Sequence, residues 1–123
     1  MIPRWVAVTI TASAGAYYAI VGALLWEFPA FFYAHVGHIG AYNAHYERDL
    51  GSFLLPIGVG LFYVSPAPEK HRTVMAIVAV ASVLHALSHL VEGVHSGLEG
   101  FELAFFSAVA LALLAVSSRR FYA

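Results

Sequence analysis

Residues 5–26, WVAVTITASAGAYYAIVGALLW, form a run of 22 positions without a charged side chain. A membrane-spanning α-helix needs about 20 apolar residues, because each adds about 1.5 Å and the hydrocarbon core is about 30 Å thick. The apolar part of a signal peptide is shorter, about 7–15 residues. We therefore predict a first membrane helix that is retained in the protein.

Three further apolar segments complete a predicted set of four membrane spans. They are TVMAIVAVASVLHALSHLV at 73–91, LAFFSAVALALLAVSS at 103–118 and LGSFLLPIGVGLFYV at 50–64. The last provides only about 22 Å of helix, so we extend it back to His45. Pro56 is compatible with a membrane helix, because neighbouring helices can satisfy the carbonyl that it frees. The predicted fold is an all-α, integral membrane, antiparallel four-helix bundle in one domain, with spans at about 5–26, 45–64, 73–92 and 101–118.

The composition favours a membrane protein and excludes several other classes. Of the 123 residues, 61% are hydrophobic and 11% charged, whereas a soluble domain has about 45–50% and 25%. Six Lys and Arg are balanced by seven Asp and Glu, so no basic surface for nucleic acid is expected. The chain contains no cysteine, which excludes disulfides, thiolate metal sites and c-type haem attachment.

Small residues recur along the first two spans. Gly15 and Gly22 belong to the first, and Gly51 and Gly58 to the second. Small side chains at such spacing let membrane helices approach closely. The pattern is equally typical of ordinary membrane-helix composition and of a specific dimer motif, so it does not choose between these two interpretations.

The positively charged residues predict how the bundle is oriented. Five of the six lie on one side of the predicted bundle, namely Arg4, Lys70, Arg72, Arg119 and Arg120. By the positive-inside rule, both termini and the 65–72 turn are cytoplasmic. The linker 27–44 then faces outward, and its Phe and Tyr side chains indicate a segment that lies in the lipid headgroup layer.

Most ionisable side chains fall toward the outer side of this topology. His45 and Asp49 are four residues apart and share one face of the second span. His85, His89 and Glu92 likewise share one face of the third span. Because these spans are antiparallel, the two groups are predicted to meet in one layer. Helix bundles build metal sites from side chains on facing helices in this way.

The sequence therefore predicts a metal site with histidine and carboxylate ligands. The predicted ligands are His45, Asp49, His85 and His89, with Glu92 or Glu102 as a fifth ligand or a supporting group. Such ligands suit Zn, Fe, Mn or Cu(II). A network of hydrogen bonds and ion pairs without a metal is the main alternative, and proton chemistry without a cofactor is another.

Arg48 has three interpretations. Its long side chain can reach the outer headgroups, or it can pair with Glu92 or Glu102 and fix neighbouring helices. In a haem protein it would instead be a cofactor-binding residue that balances the propionates. None of the three makes Arg48 a metal ligand.

Two motifs, YNAHYERDLGSFLLPIGVG (42–60) and HALSHLVEG (85–93), resemble those of a group of small, uncharacterised bacterial four-helix membrane proteins. Members of the group carry N-x-H-x-x-R-D-x-G at the start of the second helix and paired histidines late in the third. The matching residues are Asn43, His45, Arg48, Asp49, Gly51, His85 and His89. Glu92 stands where a further histidine is expected. The layout is also similar to DoxX-like bundles. The resemblance implies a bacterial inner (plasma) membrane and supplies no activity.

Four functions remain open at this point. The first is a protein that holds a metal ion in the extracytoplasmic leaflet, as a redox or regulatory subunit of a larger membrane complex or as a homo-oligomer. The second is a b-type haem electron-transfer subunit with axial histidines from the second and third spans. The third is a membrane enzyme for lipid or isoprenoid acid–base chemistry, which would need a lipid pocket that reaches Asp49. The fourth is an accessory structural subunit without chemistry.

Overall fold

The computed structural model describes residues 2–37, 40–93, 97–118 and 121–122, and this part of the chain is almost entirely helical. Its α-helices are α1 (Arg4–Glu27), α2 (Pro29–His35), α3 (Ala44–Val64), α4 (Arg72–Glu92) and α5 (Gly97–Ser118). A short 3-10 helix, Pro68–Lys70, precedes α4, and the strands β1 (Ile2–Pro3) and β2 (Phe121–Tyr122) pair in parallel. The prediction of an all-α fold is confirmed.

The four predicted spans fall on the four long helices. The ends of α1, α3 and α4 lie within one residue of the predicted bounds, and α5 begins four residues earlier than predicted. Two helices are long and apolar enough to cross a membrane, Arg4–Glu27 and the Arg72–Val91 part of α4, and Leu103–Ser118 is a shorter apolar helix. The linker contains α2, which the sequence pattern did not predict. Pro29 begins it, because its fixed φ suits the first position of a helix.

The described chain divides into two compact units. Ala12–Tyr63 forms one unit, with most of α1, α2 and α3. Met1–Thr11 and Val64–Ala123 form the other, with the start of α1, α4 and α5. The two units are packed by different means.

In the Ala12–Tyr63 unit, α1 and α3 touch through their backbones. A Cβ atom added to Gly58 would lie 2.2 Å from the backbone nitrogen of Ala19. One added to Gly22 would lie 2.3 Å from the backbone nitrogen of Leu55. These glycines therefore belong to a close crossing of α1 and α3 within the chain.

In the other unit, α4 and α5 meet through side chains. The buried residues recur every three or four positions, as expected for two facing helix surfaces. They are Met75, Val78, Ala79, Ser82, Ala86 and His89 on α4, and Phe106, Ala110, Leu113 and Val116 on α5. The Ser82 hydroxyl donates a hydrogen bond to the Val78 carbonyl at 2.9 Å, so this buried polar group is satisfied within its own helix.

One end of this second unit brings together several parts of the chain. The Arg4 guanidinium donates a hydrogen bond to the Pro66 carbonyl and pairs with the Glu69 carboxylate at 3.7 Å. The paired strands β1 and β2 adjoin this end, because α1 begins directly after β1. The start of α1, the turn before α4 and β2 therefore belong to one end of the unit.

Large apolar side chains are exposed along the outer faces of several helices. Tyr63 on α3 and Val91 on α4 are 82% and 86% exposed. Phe53, Ile77, Leu84 and Leu111 are also more than half exposed. Large exposed apolar surfaces are typical of contacts with a membrane or with another protein.

Candidate metal centre

The two histidines of α4 face each other across one helical turn. The Nε2 atoms of His85 and His89 are 3.3 Å apart, and the ring centroids are 5.0 Å apart at an interplanar angle of 73°. His89 is buried, with 8% of its surface exposed, whereas His85 is exposed. The i, i+4 spacing produces this arrangement, because such residues lie one above the other on a helix.

A phenylalanine from α5 packs against this histidine pair. The ring of Phe106 lies 4.0 Å from the ring of His85, centroid to centroid, at an angle of 50°. Phe106 is itself buried. The His85 ring is therefore fixed from two directions, by its own helix and by α5.

α4 ends immediately after the pair. Gly93 has a φ of 87°, a conformation that favours glycine, and its N–H donates to the His89 carbonyl at 3.1 Å. Glu92 is thus the last residue of the helix, three positions after His89. Its side chain, like those of Glu102, Arg119 and Arg120, lies outside the described part of the structure.

The second predicted pair lies at the start of α3. The Nε2 atom of His45 and the Oδ2 atom of Asp49 are 3.4 Å apart, and the side chains are 87% and 59% exposed. Asn43 caps the helix, because its Oδ1 atom accepts hydrogen bonds from the backbone N–H groups of His45 and Tyr46 at 3.0 and 3.3 Å. The asparagine of the sequence motif therefore sets where α3 begins.

Both separations are those of a direct hydrogen bond or ion pair between the two side chains, and they also match two ligands of a tetrahedral ion. Nitrogen and oxygen ligands lie about 2.0–2.1 Å from zinc, so two of them at the tetrahedral angle lie about 3.3–3.4 Å apart. Neutral imidazole and carboxylate are both zinc ligands. Each pair can therefore occupy two positions around one ion.

The structure brings the predicted ligands together as two pairs. Within residues 2–37, 40–93, 97–118 and 121–122, no three His, Asp or Glu side chains are grouped so that they could hold one metal ion. Convergence of both pairs on a single ion stays a prediction.

Arg48 binds a partner that the sequence did not indicate. Its Nε atom donates to the backbone carbonyl of Trp26, in the last turn of α1, at 3.3 Å. Carbonyl groups at a helix C-terminus lack partners within the helix and carry partial negative charge, so a guanidinium is favourable there. Arg48 therefore ties the start of α3 to the end of α1.

Glu47 is a residue whose burial the sequence analysis did not predict. It is 5% exposed, although it lies between the exposed residues His45 and Asp49. The face that contains Gly51 and Gly58 explains this, because residues four apart share a face and Gly51 packs on α1. The four-residue spacing from Glu47 to Gly51 is the feature of the sequence that could have predicted this burial.

An apolar groove runs between α4 and α5. It has a volume of about 230 Å³ and is lined by Val83, Ala86, Leu87, Leu90, Ser107, Ala110 and Leu111. Its α4 residues lie on the side of the helix away from His85. The groove lining contains no acid or base, so it does not supply the acid–base groups that a lipid enzyme would need.

No protein-family model, curated protein or solved structure matches this chain. The resemblance to small bacterial four-helix membrane proteins therefore stays a prediction. The described part of the chain defines a mainly helical protein with two candidate membrane-spanning helices and two side-chain pairs, His85–His89 and His45–Asp49.

Proposed function

We propose that this chain is a small integral membrane protein that binds a divalent transition metal, with His85 and His89 as the core of the site and Glu92 as a further ligand. In this proposal α1, α3, α4 and α5 cross the bilayer as an antiparallel four-helix bundle. The site lies in the extracytoplasmic leaflet of a plasma membrane.

The surface chemistry supports the membrane part of the proposal. α1 and α4 have the length and composition of spanning helices. Exposed apolar area is unfavourable in water by about 25 cal/mol for each Å², and this penalty is absent in lipid. Exposed residues such as Ile77, Leu84 and Leu111 would therefore be in their preferred environment.

The contacts at one end of the second unit support the proposed orientation. The Arg4 guanidinium binds the turn that contains Lys70 and leads to Arg72. These three cations thus belong to one end, as the positive-inside rule requires of a cytoplasmic side. The pairing of β1 with β2 fits an even number of crossings between them.

The observation that carries the metal proposal is the 3.3 Å between the Nε2 atoms of His85 and His89. This separation corresponds to an angle of about 107° at a zinc ion with bonds of about 2.05 Å. Neighbouring ligands of a square-planar Cu(II) ion would be only about 2.8 Å apart. Among the candidate metals, the separation is compatible with a tetrahedral ion such as Zn²⁺, which is the ion that the proposal adopts.

A zinc ion has no redox chemistry of its own, so the proposed role is regulatory or structural within a membrane complex. The connections between α3 and α4 and between α4 and α5 cover only residues 65–71 and 93–96, and the longer linker 28–43 joins α1 to α3. Connections of this length offer little surface outside the membrane for capture of a soluble substrate, which supports a subunit role over an independent enzyme.

Metal analysis of purified protein tests the proposal. Each protein is purified in mild detergent, loaded with zinc and dialysed. The double variant His85→Ala/His89→Ala should then contain about one zinc per chain less than the wild type. Ser88→Ala is the matched control, since this exposed residue of the same turn only donates to the His85 carbonyl. Equal zinc content in the double variant and the control would refute the proposal.

An absorption spectrum of the same sample separates the haem alternative. A Soret band after expression with added haem would assign the histidines to haem iron. A metal-loaded protein without that band supports the zinc site.

A further inference from the structure

We propose that a second copy of this chain completes the His45–Asp49 pair, so that one zinc ion bridges two copies. This inference rests on the proposed metal binding and names the partner of the α3 pair. In this inference His45 and Asp49 bind a zinc ion of their own and do not share an ion with His85 and His89.

The first argument is where α3 presents the pair. Gly51 and Gly58 mark the face of α3 that contacts α1, and Glu47 shares that face. His45 and Asp49 lie on the opposite side and are 87% and 59% exposed. An ion bound by this pair would be open to ligands from outside the chain.

The second argument is the number of ligands. The separation of 3.4 Å between His45 Nε2 and Asp49 Oδ2 suits two positions of a tetrahedral ion, which has four. In the described part of the chain, no third histidine or acid joins this pair. In this proposal the two remaining positions are filled by the same pair of a second copy.

The third argument is depth in the membrane. Asp49 is the sixth residue of α3, about 8 Å of helix from its start. Copies inserted in the same orientation hold Asp49 at the same depth. A two-fold axis along the membrane normal then brings each pair against its own counterpart, as in other isologous interfaces.

The fourth argument is charge. A carboxylate exposed to lipid is unfavourable, and such groups are normally paired. Two Asp49 carboxylates and two neutral His45 rings around one Zn²⁺ give a net charge of zero. The same face continues with Phe53, Val59 and Tyr63, whose exposed apolar surfaces would pack between the two copies.

The test compares molar mass and zinc content in detergent. We expect the wild-type protein to be a dimer with zinc and a monomer after chelation. His45→Ala and Asp49→Asn should stay monomeric with zinc and lose about half a zinc per chain. The control His85→Ala/His89→Ala should lose about one zinc per chain and still form the zinc-dependent dimer.

A crosslink tests the interface in membranes. The chain contains no cysteine, so Ser52→Cys introduces a single reactive thiol on an exposed position near Asp49. Oxidation should crosslink this variant at least tenfold more with zinc than with chelator. Adding His45→Ala should remove the difference.

The outcomes separate this inference from the proposed function. If the chain binds zinc through His85 and His89 but stays monomeric, the bridged dimer is overturned. The proposed function is unaffected by that result. A dimer that persists in chelator and in His45→Ala also overturns the bridged dimer. Failure of every variant and of the wild type to bind zinc overturns both.

Discussion

The two helix packings of this chain differ in what separates the helices. α1 and α3 touch through their backbones at Gly22 and Gly58, whereas α4 and α5 are held apart by side chains such as Phe106 and Leu113. Only the second packing leaves room for an imidazole, and His89 is buried there. A polar site needs space between helices, which explains why the α4 pair is partly enclosed and the α3 pair is exposed.

The largest expected effect comes from breaking the backbone contact. In Gly58→Leu the new side chain would overlap the backbone of Ala19, where even a Cβ atom would be at 2.2 Å. We expect the free energy of unfolding to fall by about 3 kcal/mol or more, measured by titration from mild detergent into SDS.

Gly60→Ala is the matched control for that variant. Gly60 is also in α3, but an added Cβ has no neighbour within 4 Å. Its free energy of unfolding should be unchanged or slightly higher, because alanine is the better helix former. If Gly58→Leu and Gly60→Ala lowered the free energy of unfolding equally, the contact between α1 and α3 would not be the origin of the stability.

A smaller effect is expected from the side-chain packing of α4 and α5. Phe106→Leu keeps an apolar side chain but removes the ring that lies against His85. Hydrogen-bonded groups that orient a metal ligand change metal affinity by about 10–100-fold when they are lost, and an apolar ring contact is expected at the lower end of that range. We expect about a tenfold weaker zinc affinity, measured by competition with a chelating dye.

Phe105→Leu provides the comparison, since Phe105 is the neighbouring ring on α5 and packs edge-on against Phe106. If Phe106 contributed only to the packing of α4 and α5, Phe105→Leu and Phe106→Leu would weaken zinc binding equally. The selective loss in Phe106→Leu is the result that the contact with His85 predicts.

The smallest expected effect concerns the cap of α3. Asn43→Ala removes the acceptor for the N–H groups of His45 and Tyr46. Such caps contribute about 1 kcal/mol, so the free energy of unfolding should fall by about that amount. Asn43→Asp should retain the stability, because aspartate caps equally well; a loss as large as that of alanine would contradict the capping role.

The sequence predicted α1 and α4 well, because charge-free runs of about 20 residues have few alternatives. The apolar runs of α3 and α5 are shorter, and α5 begins four residues before its predicted start. It also predicted the pairing of His85 with His89, since the i, i+4 spacing fixes neighbours within one helix. It could not predict the contact of His85 with Phe106, which depends on how α4 and α5 rotate against each other. The partner of Arg48 was equally inaccessible, because a backbone carbonyl has no signature in a sequence.

The crossing of α1 and α3 also has a consequence for motion. Side chains that separate helices can change rotamer and let the helices shift, but a contact made by glycine backbones has no rotamers to change. The two helices should therefore move as one rigid pair. Deuterium should enter the amides around Gly22 and Gly58 more slowly than those of α5, where neighbouring side chains can rearrange.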